Sequence, residues 1–173
     1  MRDTLQMINQ MQSDGIIGKY AIGGAVGATF YLEPSATLDV DIFVTLPTVS
    51  RSSLLNLAPI YDYLKARDCK VQGEHIVIGS WPVQFLPASN ALEEDALASA
   101  TPTEVEGVPT FVMGAEFLIA IALRTGRPKD HNRILQFLDQ NVADLGRLKD
   151  LLKRHALESK WEQFQRRFRG QEQ

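Results

Sequence analysis

Two aspartates one residue apart, Asp39 and Asp41, stand in the stretch TLDVDIFVTL, and a Gly-Gly pair, Gly23 and Gly24, precedes them in YAIGGAVGATFYLEP. In an extended strand, residues two apart share a face, so the two carboxylates project side by side while Val40, Ile42 and Val44 point the other way. At ~4 Å and an effective dielectric of ~20 two such charges repel by roughly 4 kcal/mol. A hard divalent cation removes that cost, and Mg²⁺ takes one or two carboxylates together with phosphate oxygens. Glycines between a strand and a helix let the backbone approach a ligand closely and leave N–H groups open to an anion. The implied chemistry is a phosphate held by backbone and a metal held by aspartates. Residue types alone leave a second reading open: an edge strand with two solvated aspartates, although aspartate is depleted in strands.

The surrounding pattern says what must position these groups. RDTLQMINQMQSDG reads as an amphipathic helix with Leu5, Ile8 and Met11 on one face and Gly15 as its stop. KYAIGG is a short strand entering the glycine turn, AVGATFYLEP a helix ended by Pro34, and TLDVDIFVTL a β-branched strand bounded by Pro47. SRSSLLNLAPIYDYLKARD carries helical spacing in Leu54, Leu57, Ile60 and Leu64, with serine caps and a kink expected at Pro59. HIVIGSWPVQFLP is a hairpin through Gly79-Ser80, NALEEDALASA a polar helix, and TEVEGVPTFV a smaller hairpin around Gly107. From GAEFLIAIALRTG onward the chain reads as helical. The order predicts an α+β fold, a mixed sheet flanked by helices over 1–113 and a small C-terminal helical region over 114–173.

Composition bounds the rest. A single cysteine, Cys69, rules out a disulfide framework and fits a reducing cytoplasmic setting. The start MRDTLQMINQ has no apolar core of a leader, and no run of about 18 apolar residues is present, so no membrane association is expected. A net charge of −3 gives little global attraction for polyanions, so the local basic runs LRTGRPKDHNR and KWEQFQRRFR would have to supply it.

The stretch GGAVGATFYLEPSATLDVDIFV resembles the signature of the nucleotidyltransferase superfamily, the polymerase-beta-like fold, in its minimal and abortive-infection toxin-like branches. EFLIAIALRTGRPKDHNRI is similar to the segment of these proteins in which a Gly-Arg-Pro-Lys-Asp run follows an apolar helix. The resemblance spans most of the chain up to about Leu138. It implies that Gly23 and Gly24 bind the triphosphate of an NTP, that Asp39 and Asp41 hold Mg²⁺, and that Arg127 and Lys129 neutralise phosphate charge. The resemblance counts Asp130 and Lys129, with Asp39, Asp41 and Gln84, among the catalytic residues; from its place alone Asp130 is expected to cap the following helix as its N-cap residue.

The same resemblance exposes departures. A third carboxylate usually stands on the neighbouring strand, where WPVQFLP has Gln84, which can orient a hydroxyl but cannot take its proton. Ala122 stands where a lysine is common, and Arg133 where an acidic residue is common. The implied function is Mg²⁺-dependent transfer of a nucleotide from an NTP to a hydroxyl on an RNA, a protein or a small molecule. The alternative is a catalytically degenerate protein that binds nucleotide or forms part of a toxin–antitoxin-type pair with a cognate partner protein. His75 and His131 read as structural, Glu93, Glu94 and Asp95 as a solvated helix face with one of them able to replace the missing base if that helix folds over the site. Cys69 reads as an inert thiol, Trp81 as core, and Trp161, Phe164 and Phe168 as the face that docks the last helix onto the body or a partner.

Overall fold

The structure is a computed structural model and describes residues 1–33, 39–47, 56–168 and 170. Helix α1 (Arg2–Ser13) buries Leu5, Ile8 and Met11 as their spacing requires, and ends at Asp14 just before Gly15 at φ +72°. Strand β1 (Tyr20–Ile22) runs into the glycine turn, helix α2 (Gly24–Ala28) follows, and β2 (Val40–Val44) carries Asp41. The helix is shorter than expected: it stops at Ala28, where the Thr29 hydroxyl donates to the Val26 carbonyl, and Pro34 lies outside the described residues. Helix α3 (Ala58–Lys65) has Pro59 in its first turn, so this proline opens the helix rather than kinking it. The serine caps and Leu54 expected before it lie outside the described residues.

A strand that the sequence reading passed over, β3 (Lys70–Gln72), pairs with β4 (His75–Ile78), which turns through Gly79 into β5 (Trp81–Pro87). All three residues of β3 are exposed, so it has no apolar pattern to betray it. Helix α4 (Ala91–Ala98) is followed by the hairpin β6 (Thr101–Val105) and β7 (Val108–Val112), with Glu106 and Gly107 both at positive φ in its two-residue turn. The chain closes with α5 (Ala115–Thr125), α6 (Pro128–Asp139), α7 (Leu145–Arg154) and α8 (Glu158–Phe168).

Among the described residues the strands form one seven-stranded mixed sheet in the order β3-β4-β5-β2-β1-β7-β6. β2 lies beside β5 in parallel and beside β1 antiparallel, and β1 pairs with β7 in parallel through Ile22 and Val112. One sheet face packs on α1 and α3, the other on α2, α4 and α5, against which α6, α7 and α8 assemble. The architecture is α+β, as the element order predicts. Trp161 and Phe164 are buried and Phe168 packs beside them, so α8 docks on the body; Trp81 packs against the α1–α3 side. No helix among the described residues is long and apolar enough to cross a membrane.

Candidate functional site

Alternation along β2 decides the site. Val40, Ile42 and Val44 are fully buried against α1 and α3, while Asp41 and Phe43 face the helical side. Asp39 immediately precedes the strand and lies two residues from Asp41. The glycine turn is fastened to this strand: the Gly23 N–H donates to the Asp41 carbonyl at 2.9 Å. Both glycines are required by contact. A Cβ at Gly23 would lie 2.6 Å from the Phe43 ring, and one at Gly24, where φ is +56°, would overlap the Asp41 carboxylate. The Gly-Gly signal in the sequence is thus the mark of a backbone laid against an acidic side chain.

Asp41 and Gly24 line one end of a cleft of about 310 Å³, close to the lower limit of ~300–1,000 Å³ common for small-molecule sites. Gln84 also lines it. The parallel register sets Gln84 directly beside Asp41, so the amide occupies the place on the neighbouring strand where the resemblance implies a carboxylate. Ala122 lines the α5 wall and supplies no charge; Arg124 is exposed, outside the cleft lining, and its carbonyl accepts from the Lys160 ammonium at 2.8 Å.

Cations come from α6. Gly126 terminates α5 in the left-handed region, Pro128 opens α6, and Asp130 is 1% exposed on its first turn. Asp130 does cap this helix, but from the third helical position and not as its N-cap residue: its Oδ2 accepts from the backbone N–H of Arg127, which holds the N-cap place. The proline at the first helical position shifts the start by three residues. The same carboxylate takes the Arg127 guanidinium in a two-pronged contact, 2.7 Å from Nε and 3.1 Å from Nη2, and stands 3.6 Å from Arg133 Nη1. A buried anion therefore holds two guanidinium groups on the wall facing Asp41. Lys129 is exposed and outside the cleft lining, although its charge reaches Asp41.

Electrostatics follow from this placement. Burial pushes the Asp41 carboxyl above the ordinary carboxylate range, the Asp39 charge pushes it further, and Arg133, Arg127 and Lys129 pull it back in that order. Arg133 is thus the foremost cation acting on Asp41. Its signal in the sequence was only its place, three residues after Asp130 on one helix face.

Asp39 is engaged by His75: the His75 Nε2 lies 3.2 Å from Asp39 Oδ2, an arrangement that strand pairing makes by setting β4 beside β5. His131 packs at a tilt against Phe164 and Phe168, at ring-centroid distances of 5.7 and 5.1 Å, and is not among the residues lining the cleft. The acidic cluster on α4 divides. Asp95 pairs with Arg154 and His155, whereas Glu93 lines the cleft, with Oε2 accepting from the Ser89 N–H at 2.8 Å and its hydroxyl at 3.0 Å. Glu93 is half-buried at the cleft, and Glu94 stays exposed. Cys69 is only partly buried, and burial raises its thiol pKa, which agrees with an unreactive thiol.

Asp41 lines the cleft while Asp39 lies outside its lining, and carboxylate oxygens are the donor type that Mg²⁺ takes. Among the described residues no group of three or more His, Cys, Asp or Glu side chains forms a complete metal cage. Mg²⁺ does not demand one, since it keeps water and phosphate oxygens as ligands. The raised proton affinity of Asp41 marks a carboxylate whose charge a bound cation would stabilise.

No protein-family model matches the chain, and no curated protein sequence matches it. Solved structures do. The fold is similar to the aminoglycoside nucleotidyltransferase ANT(2″)-Ia in complex with adenylyl-2″-tobramycin, with a TM-score of 0.54 and 14% identity over 91% of this chain and 98% of that one. The solution structure of the same antibiotic-resistance factor gives 0.55 and 15% over 98% and 97%. An antigenic nucleotidyltransferase-like protein from Paracoccidioides brasiliensis gives 0.56 and 14% over 92% and 90%.

Proposed function

We propose that this chain, which has the nucleotidyltransferase fold, binds an NTP with Mg²⁺ in the cleft and transfers its nucleoside monophosphate to a hydroxyl acceptor. The observation that carries the reading is the Asp41 carboxylate set against Gly24, with Gln84 beside it and Arg127 and Arg133 across the cleft. Asp39 and Asp41 would hold the metal, which when bound supplies charge neutralisation at the phosphates. Gly23 and Gly24 bring backbone close to the triphosphate. Arg127, Arg133 and Lys129 offset the charge that leaves with pyrophosphate, and Asp130 keeps the two arginines aimed. Gln84 orients the acceptor hydroxyl. In the step itself the acceptor oxygen bonds to the α-phosphorus, the bond from that phosphorus to the bridging oxygen breaks, pyrophosphate departs, and the hydroxyl proton passes to solvent. A neighbour captured with an adenylylated small molecule supports a hydroxyl-bearing acceptor.

The test is calorimetry with a non-hydrolysable NTP, with and without Mg²⁺, on the wild type and on Asp39→Ala with Asp41→Ala. Magnesium-dependent binding that the double variant loses is expected; binding that survives in it without metal overturns the reading.

Gln84 favours a second reading. With Gln84 instead of a carboxylate opposite Asp41 on β5, the cleft suits a nucleotide-binding protein that does not turn over, as in one half of a toxin–antitoxin-type pair. Label transferred from any α-labelled NTP in an Asp41-dependent manner would end it.

A further inference from the structure

Resting on the cleft being the nucleotide site, we propose that Glu93 selects the nucleobase and favours guanine. The cleft is chemically polarised. Asp41, Gly24, Arg127 and Arg133 line it where a phosphate tail would lie, whereas Ser89 and Glu93 belong to the stretch after Ala88, whose N–H donates to the Val44 carbonyl three residues along β2 from Asp41. The register measures the span between them: Asp41 stands beside Gln84 and Val44 beside Pro87. Three strand residues therefore cover ~10 Å before the turn into α4 begins. That is the order of the distance from the α-phosphate of an extended nucleotide to the far edge of its base. Between the two ends the walls are apolar, from Phe43, Leu86, Leu118 and Ile121, as a ribose and an aromatic ring require.

Glu93 is also pre-positioned. Its backbone N–H donates to the Asn90 side chain, which caps α4, and its own Oε2 takes both Ser89 bonds. Oε1 carries neither and keeps its acceptor capacity on a residue that lines the cleft. An ionised carboxylate accepts hydrogen bonds and donates none. Guanine offers two adjacent donors on its pairing edge, N1–H and the 2-amino group. Adenine and cytosine would set a ring-nitrogen lone pair against the carboxylate, and uracil flanks its single N–H with two carbonyls. A site built to accept from adjacent donors rejects bases that leave it unpaired.

The experiment measures dissociation constants of non-hydrolysable ATP, CTP, UTP, GTP and inosine triphosphate analogues with Mg²⁺. The wild type should bind the GTP analogue about tenfold or more tighter than the others, with the inosine analogue weakened by loss of its 2-amino group. Glu93→Gln keeps an acceptor for Ser89 and should narrow the margin to about twofold or less. A wild type without guanine preference overturns the proposal, as does an unchanged preference in Glu93→Gln with its circular dichroism intact. If Glu93→Gln fails to fold, the GTP-to-inosine comparison on the wild type decides alone. Failure of the underlying reading looks different: NTP binding indifferent to Asp39→Ala with Asp41→Ala removes the nucleotide from the cleft altogether, whereas loss in that variant with no role for Glu93 removes only the base assignment.

Discussion

Strand β2 shows two different solvents on its two sides. Toward α1 and α3 it presents Val40, Ile42 and Val44, each with no exposed surface, in a core with Leu5, Ile8, Ile60, Ile76 and Val83. Toward the helices it presents Asp41 and Phe43, and the carboxylate borders a cleft with two arginines opposite. The difference teaches where precision comes from. The apolar face fixes the height and tilt of the strand by close packing, and the polar face inherits that position without contributing much to it. A carboxylate pushed above its ordinary proton affinity is held there by the packing on the other side.

That comparison can be broken from either side. The largest effect is expected from Ile42→Ala, a cavity in the dry face, which should cost about 2–5 kcal/mol by chemical denaturation and leave nucleotide affinity of the folded fraction nearly unchanged. Asp39→Ala with Asp41→Ala should show the reverse: Mg²⁺-dependent NTP binding weakened at least ~100-fold, about 2.7 kcal/mol, without loss of fold. Asp130→Ala falls between, because it strips Arg127 and Arg133 of their partner and α6 of its cap. Its cost should be about 1–3 kcal/mol, since the Arg127 side chain is 54% exposed and solvent screens part of the charge. The smallest and most diagnostic is Asp41→Asn. A carboxyl whose folded pKa is raised destabilises the fold as pH climbs from the ordinary value of about 3.9 through the raised one, because the folded state keeps a proton that the unfolded chain has released. The amide variant should therefore melt a few degrees higher at pH 7, with the gain vanishing below about pH 4, while NTP binding falls. A variant that melts lower at pH 7 would show that Asp41 supports the fold instead of straining it.

Legibility in the sequence followed the range of the interactions. Strand β2, the glycine turn and both hairpins were readable because period-two alternation and glycine conformation are local. Strand β3 was not, as its exposed residues carry no pattern and it exists through pairing with β4. The pivot at α6 was half readable. The capping carboxylate of Asp130 was visible, but Pro128 at the first helical position moved its role by three residues. Glu93 and Arg133 were half readable for a common reason: one stood in an acidic run that could reach the site only if its helix folded over it, and the other stood where the resemblance has an acidic residue. Only the closure of α4 and α6 over the β2–β5 strands made one a cleft wall and the other the leading cation near Asp41.

The sequence by itself determined that a glycine turn precedes a strand on which Asp41 faces away from Val40, Ile42 and Val44, with Asp39 at the strand's entry, because side-chain direction in a strand and the backbone freedom of glycine are properties of a few consecutive residues. Tertiary structure alone decided which charges meet them. The partners Gln84, His75, Arg127 and Arg133 lie tens of residues away in sequence, and strand register and helix packing, not spacing, set them beside Asp39 and Asp41.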